Sequence, residues 1–151
     1  MWCASVVVSA CLIGHACRYD GRSNYRSEIA HFVATHPSLP ICPEVLGNLS
    51  IPRLPAERCG DQIIRIDGVD VTDAFRLGVL RAMFLTIRVG ARLAILKSRS
   101  PSCGIGQIYD GNFTKTLCSG HGVWTEVLLT HKIQVISEEN FAAWYAAKKA
   151  Y

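Results

Sequence analysis

The sequence predicts an α/β fold: a single three-layer domain over residues 1–151 with a largely parallel, Rossmann-like sheet. Three observations lead there. Short apolar runs rich in β-branched residues recur, helical patterns alternate with them, and turn residues mark the junctions. With 151 residues, 50% of them hydrophobic and 19% charged, the chain can bury a real core and lacks the signature of disorder. Neither repeats nor a linker interrupt it.

Ser5 to Ala10 (SVVVSA) reads as a central strand of a parallel sheet. Gly14 to Asn24 is polar and turn-rich. Tyr25 to His36 reads as a helix with Ile29, Phe32 and Val33 on one stripe, Ser23 or Asn24 as its cap and Pro37 as its stop. Leu39 to Cys42 is a short strand. Glu44 to Asp61, with Pro52 and Pro55 flanking Arg53, is expected to be a long ordered loop or lid. Ile63 to Val71 suggests a strand pair turning at Asp67-Gly68. Thr72 is placed to cap a helix from Asp73 to Val89, closed by Gly90. Ala91 to Lys97 is a strand, followed by a loop with Pro101 and Gly104 and a turn-rich stretch around Asp110-Gly111. Gly122 to His131 reads as helix, Ile133 to Ile136 as strand, and Glu138 to Lys149 as a terminal helix capped by Ser137.

No run reaches the ~18 apolar residues of a membrane span. The net charge of +4 is scattered rather than gathered into a basic face, so it favours small anions over nucleic acid. The apolar stretch Trp2 to Ile13 ends near a cleavage-box-like Val8-Ser9-Ala10-Cys11. Nothing basic precedes it, so it reads as a strand of a cytoplasmic protein rather than a signal peptide. No residue pattern reports oligomeric state; a homodimer is the working expectation.

Seven cysteines, an odd number, argue against a closed disulfide framework and for a reducing compartment. Cys11 follows the first strand, Cys42 ends the second, and Cys103 lies beyond Lys97. In an open α/β sheet, loops past the carboxyl ends of the strands share one rim where ligands bind. Three thiols distant in sequence can therefore converge. They would suit zinc or an iron–sulfur cluster; the alternative is three ordinary buried cysteines. Cys17 is the one credible fourth ligand or protective thiol. Cys3 precedes the strand, Cys59 lies in the loop and Cys118 in a polar turn.

Taken together, five stretches resemble a family of small bacterial iron–sulfur desulfidases, formerly a domain of unknown function, that includes thiouracil desulfidase. They are Val8-Ser9-Ala10-Cys11-Leu12-Ile13-Gly14 running into Cys17-Arg18-Tyr19-Asp20-Gly21; Cys42-Pro43-Glu44-Val45 with Pro52-Arg53-Leu54-Pro55-Ala56-Glu57; and Asp70-Val71-Thr72 with Phe75 and Gly78. Ala94-Ile95-Leu96-Lys97-Ser98 with Ser100-Pro101-Ser102-Cys103-Gly104, and Ile108-Tyr109-Asp110-Gly111 with Phe113, complete the set in family order. The resemblance implies a 4Fe-4S cluster held at the carboxyl ends of the strands by Cys11, Cys42 and Cys103, with one iron left open to a substrate's sulfur. It implies catalytic roles for Glu44 and Ser100, with Ser102 the competing serine. Ser102, Arg53 and Tyr19 are candidates for holding the substrate. The implied activity is non-redox, hydrolytic removal of sulfur from a thiolated nucleobase such as 2-thiouracil, or from a related thiocarbonyl compound, releasing sulfide from an oxygen-sensitive enzyme.

Each residue also has a plainer use. Glu44 can pair with Arg53, Ser100 before Pro101 can shape a turn, and Arg18 can hold Asp20. His15, His121 and His131 read as surface or packing residues. Asn48 stands where relatives carry a second glycine after Gly47, and Cys59 and Cys118 match no family role. Two other functions compete with the desulfidase. One is a binding or accessory protein that carries a cluster or zinc without turnover. The other is an enzyme with Cys103 as nucleophile, which would want a partner base such as histidine; no histidine lies in the ligand motifs.

Overall fold

The computed structural model describes residues 5–150. Its centre is a sheet of four parallel strands: β1 (Val6–Ser9), β2 (Ser38–Ile41), β5 (Leu93–Leu96) and β8 (Gln134–Ser137), in the order β2-β1-β5-β8. Every residue of β1 is buried, as expected of an inner strand covered on both faces. Alternate side chains go to opposite faces. Val7, Ala94, Leu96 and Val135 pack with Ala82 and Met83 of α3 (Thr72–Arg88) and with Trp124 and Leu128 of α4 (Val123–Thr130). Val6, Val8, Ile95 and Ile136 face Ile29 and Phe32 of α1 (Ser27–Thr35) and Phe141 of α5 (Phe141–Lys149). The expected three-layer α/β architecture is thus present. None of the helices among the described residues is long and apolar enough to cross a membrane.

A one-turn helix, α2 (Pro43–Leu46), and two antiparallel hairpins complete the chain: β3 (Ala56–Cys59) with β4 (Gln62–Arg65), and β6 (Gln107–Tyr109) with β7 (Leu117–Ser119). Several expectations are corrected here. The stretch 44–61 is not one long loop, because Pro43 starts α2 at a position where its missing N–H costs nothing, and the stretch closes with β3. The strand pair is not formed across Asp67-Gly68. Cys59 pairs with Gln62, making Gly60-Asp61 the two-residue turn, with Gly60 at φ 62°. Beyond Asp67-Gly68 a single bridge remains, Ile64 with Asp70.

Thr72 lies within α3 rather than capping it. Its hydroxyl accepts the Ile63 N–H at 2.9 Å and so ties the hairpin to the helix, while Asp70 Oδ1 accepts the Thr72 N–H at 2.8 Å. Neither Ser23 nor Asn24 caps α1, whose first flanking residue is Arg26 with no side-chain cap. Cys118 is on strand β7, not in a turn. The terminal helix begins at Phe141, with Ser137 Oγ accepting the Asn140 N–H at 3.3 Å in the preceding turn. Cys3 and Trp2 lie outside the described residues.

Candidate functional site

A cleft of about 490 Å³ opens at the carboxyl ends of β1, β2 and β5. The strand order reverses direction beside β1, and crevices at such switch points are where α/β sheets bind ligands. Cys11 enters from the 3₁₀ turn Ala10–Ile13 after β1, Cys42 from the residue after β2, and Cys103 from the loop after β5. All three line the cleft, together with Cys17, Glu44 and Ser102.

The thiols are not equivalent. Cys17 is hydrogen-bonded to both Cys11 and Cys42. Its hydrogen bond lowers the Cys42 thiol to about 7, against burial that works the other way. Cys11 is lowered too, by Cys17 first and, against burial, by the Asn24 amide, whose Nδ2 lies 3.5 Å from its Sγ. Cys17 itself is pushed far up by hydrogen bonding with the Cys11 thiol first, then with that of Cys42, and by burial. Burial raises Cys103, which is 5% exposed, despite hydrogen bonds from Ser9 and Ser102. Asn24, read from sequence as a helix cap, instead also accepts from Arg18 Nη1 at 2.6 Å. Arg18 pairs with Asp20 at 2.8 Å, the plainer use the sequence suggests.

The Cys103 loop is built to be rigid. Ser100 Oγ accepts the backbone N–H of Ser102 and of Cys103, each at 3.1 Å, and Gly104 N donates to Ser100 O at 2.8 Å. The loop is strapped to the start of α4: Trp124 N donates to Ser102 O, and Thr125 Oγ1 donates to Cys103 O, each at 2.9 Å. A side chain at Gly122 would collide with the Ser102 backbone.

Glu44 on α2 meets this loop. Ser102 Oγ donates to Glu44 Oε2 at 2.9 Å, and the Ser100 and Ser102 hydroxyls are 2.9 Å apart. On its other side Glu44 Oε1 receives Arg53 Nη2 at 3.1 Å and Nε at 3.2 Å. Arg53 also donates to the carbonyls of Cys17 at 2.9 Å and Ser50 at 3.1 Å. The guanidinium is therefore committed to the protein, and the sequence-level pairing with Glu44 is what forms. Tyr19 stands at the mouth, 44% exposed, with the Arg18 guanidinium over its ring. His15 is exposed, and His121 Nδ1 accepts the Gly106 N–H at 2.9 Å, away from the thiols. Cys59 and Cys118 are exposed and do not line the cleft.

Two groups escaped the sequence reading. Glu138, with its side chain 1% exposed, receives Lys97 Nζ at 2.9 Å, Ser98 N at 2.7 Å and Ser98 Oγ at 2.8 Å. Glu57 holds the loop between β6 and β7 through two backbone amides. Both partnerships join segments far apart in sequence, so no local pattern announces them.

Among the described residues no three His, Cys, Asp or Glu side chains converge closely enough for one metal ion. What the cleft offers is soft thiols around a roomy, mostly apolar space, and soft thiolates suit zinc or, where no single-ion site forms, an iron–sulfur cluster. The residues present fit such a group, and Cys11, Cys42 and Cys103 could hold it.

Fold and site together define a small α/β protein with a thiol-lined cleft and a carboxylate–serine pair at its side. A family model described as 2-thiouracil desulfurase matches residues 6–140, and the chain belongs to that family. It is 36% identical over 143 residues to YbbK, an uncharacterized protein of Bacillus subtilis (strain 168), covering 88% of this chain and 95% of that one. Its structure is similar to that of the 4Fe-4S-dependent thiouracil desulfidase TudS, with a TM-score of 0.89 and 40% identity over 98% of this chain and 99% of TudS.

Proposed function

We propose that this protein is a thiouracil desulfidase that uses a 4Fe-4S cluster held by Cys11, Cys42 and Cys103, with one iron free of protein ligands, to remove sulfur from a thiolated nucleobase such as 2-thiouracil. The net reaction is hydrolytic and non-redox: a thiocarbonyl and water give a carbonyl and hydrogen sulfide. When bound, the cluster supplies a soft Lewis acid for the substrate's sulfur.

The chain's own groups do the proton work. Glu44, oriented by Arg53, takes a proton from the water that attacks the thiocarbonyl carbon. Ser102, 2.9 Å from Glu44 Oε2, hydrogen-bonds the charge that develops as the C–S bond breaks. Ser100 positions Ser102 and completes a short proton path through its 2.9 Å contact. Tyr19 borders the entrance, and Arg53 acts through Glu44. The thiols fit a reducing cytoplasm, and an open iron would make the enzyme sensitive to oxygen.

The observation that carries this reading is one cleft gathering three strand-end thiols and the Glu44–Ser102 pair. A second reading, a carrier of a cluster or zinc without turnover, draws on Cys17, which touches both Cys11 and Cys42. A carrier needs no carboxylate–serine pair. Anaerobic reconstitution with iron and sulfide, an iron count and a sulfide-release assay on 2-thiouracil decide between them. About four irons per chain with sulfide released supports the desulfidase. Iron bound without release from any thiolated base favours the cluster carrier; no iron bound overturns the desulfidase and leaves a zinc carrier or three plain core cysteines.

A further inference from the structure

One wall of the cleft is made by the hairpin of β6 and β7, from which Tyr109 at the end of β6 and Phe113 and Lys115 of the joining loop reach the cleft. Phe113 and Lys115 both adopt positive φ, 56° and 59°, a left-handed region that side chains other than glycine, asparagine and aspartate seldom enter. Such conformations persist where the surroundings impose them, and they cluster at ligand clamps. Here the imposing group is Glu57 of β3. Its Oε2 accepts the backbone N–H of Gly111 at 2.9 Å and of Phe113 at 3.1 Å. Gly111, at φ 92°, packs closely on Arg58 O and Cys59, where a Cβ would meet them at 3.1–3.4 Å and would be strained by the positive φ. A carboxylate from one hairpin thus fixes the tip of the other.

What the clamp presents is an aromatic ring without a partner. Among the described residues every aromatic pair is drawn from Phe32, His36, Phe141, Trp144 and Tyr145, in the layer of α1 and α5. Phe113 belongs to none and is half-buried at the cleft wall. An aromatic held at a strained backbone position beside a cleft is built to meet something flat.

We infer that Phe113 is the face on which the planar ring of the substrate stacks, and that Glu57 is the positioning residue that holds it there. The inference rests on the desulfidase reading and adds the residue that selects its substrate: the Phe113 ring favours flat, unsaturated thiolated heterocycles over open-chain thioamides.

The test uses the anaerobically reconstituted holoenzyme, with sulfide release from 2-thiouracil and from thioacetamide, alongside calorimetric binding of uracil. Loss of base–aromatic stacking is expected to weaken binding about tenfold. Phe113→Leu therefore raises the KM for 2-thiouracil and the Kd for uracil by about that factor, and lowers the preference for 2-thiouracil over thioacetamide. Phe113→Tyr restores both. Glu57→Ala reproduces the Phe113→Leu pattern, while Glu57→Gln, whose carbonyl oxygen can still accept both amides, keeps wild-type binding.

Wild-type values in a folded Phe113→Leu protein would overturn the stacking face and leave the desulfidase reading standing. A Glu57→Ala effect on kcat alone would overturn the positioning role. Wild-type protein that neither binds uracil nor releases sulfide from 2-thiouracil would overturn both readings.

Discussion

Ser102 and Glu44, 58 positions apart in sequence, are joined by a 2.9 Å hydrogen bond at the side of the thiol-lined cleft. Ser102 is 1% exposed, so its hydroxyl is aimed by the protein groups around it. The pair separates two serines that sequence reading left as rivals. Ser102 touches the carboxylate, whereas Ser100 spends its oxygen on the backbone of Ser102 and Cys103.

That separation predicts different phenotypes. Glu44→Gln lowers kcat by about 10²–10⁴-fold, the usual worth of a general base, with iron content unchanged. Ser102→Ala does the same more mildly. Ser100→Ala loses iron as well as turnover, because the loop bearing Cys103 slackens. Parallel iron counts and sulfide-release rates decide it; a Ser100→Ala protein with full iron and no turnover would transfer the proton role to Ser100.

Cys11→Ser, Cys42→Ser and Cys103→Ser are each expected to abolish cluster binding after anaerobic reconstitution. Cys59→Ser and Cys118→Ser, exposed and away from the cleft, retain it. Full iron retention in any of the first three removes that residue from the ligand set.

Gly78 of α3 faces α2 so closely that a Cβ would fall on the carbonyl of Pro43 and near the amide of Gly47. Gly78→Ala is expected to cost about 3 kcal/mol through overpacking, read as a lower urea midpoint. Since Glu44 is the next residue after Pro43, turnover should fall with stability. An unchanged midpoint would mean that α2 shifts freely.

Glu138 gives the pH dependence. Burial opposes its charge, but the Lys97 ammonium and the hydrogen bonds from Ser98 N and Oγ outweigh burial and hold the carboxyl below its usual value. A carboxyl depressed in the folded state stabilises above its unfolded pKa of about 4.3 and loses that contribution as pH falls through the lower folded value. Glu138→Gln should therefore cost about 2–3 kcal/mol at neutral pH, the scale of hydrogen bonds to a charged group. The gap from wild type should close in acid. Urea titrations of both proteins at pH 7 and in acid check it; a constant gap would rule out the ionised form as the stabilising one.

Much of the sheet was legible because β-branched runs such as Val6–Val8 leave little choice but an inner strand. The three thiols followed from their places after strands, through the rule that loops at the carboxyl ends share a rim. The hairpin was misread because two Gly–Asp pairs, Gly60-Asp61 and Asp67-Gly68, signal turns equally well. The choice between them rests on tertiary contacts such as Thr72 Oγ1 accepting Ile63 N. Glu57 and Glu138 were illegible for the same reason: each serves partners more than thirty positions away, on another element.

Cys11, Cys42 and Cys103 follow three neighbouring strands, so they can meet only after β1 has paired with β2 and with β5. The layers that close over those strands rest on Trp124, Phe32 and Phe141, none of which lines the cleft. The core that supports the cleft is therefore separate from the cleft's own lining. A cluster held by the three thiols would sit in a receptacle that the polypeptide builds without it. A scavenging chelator could then empty it and a delivery system refill it without the scaffold ever being dismantled.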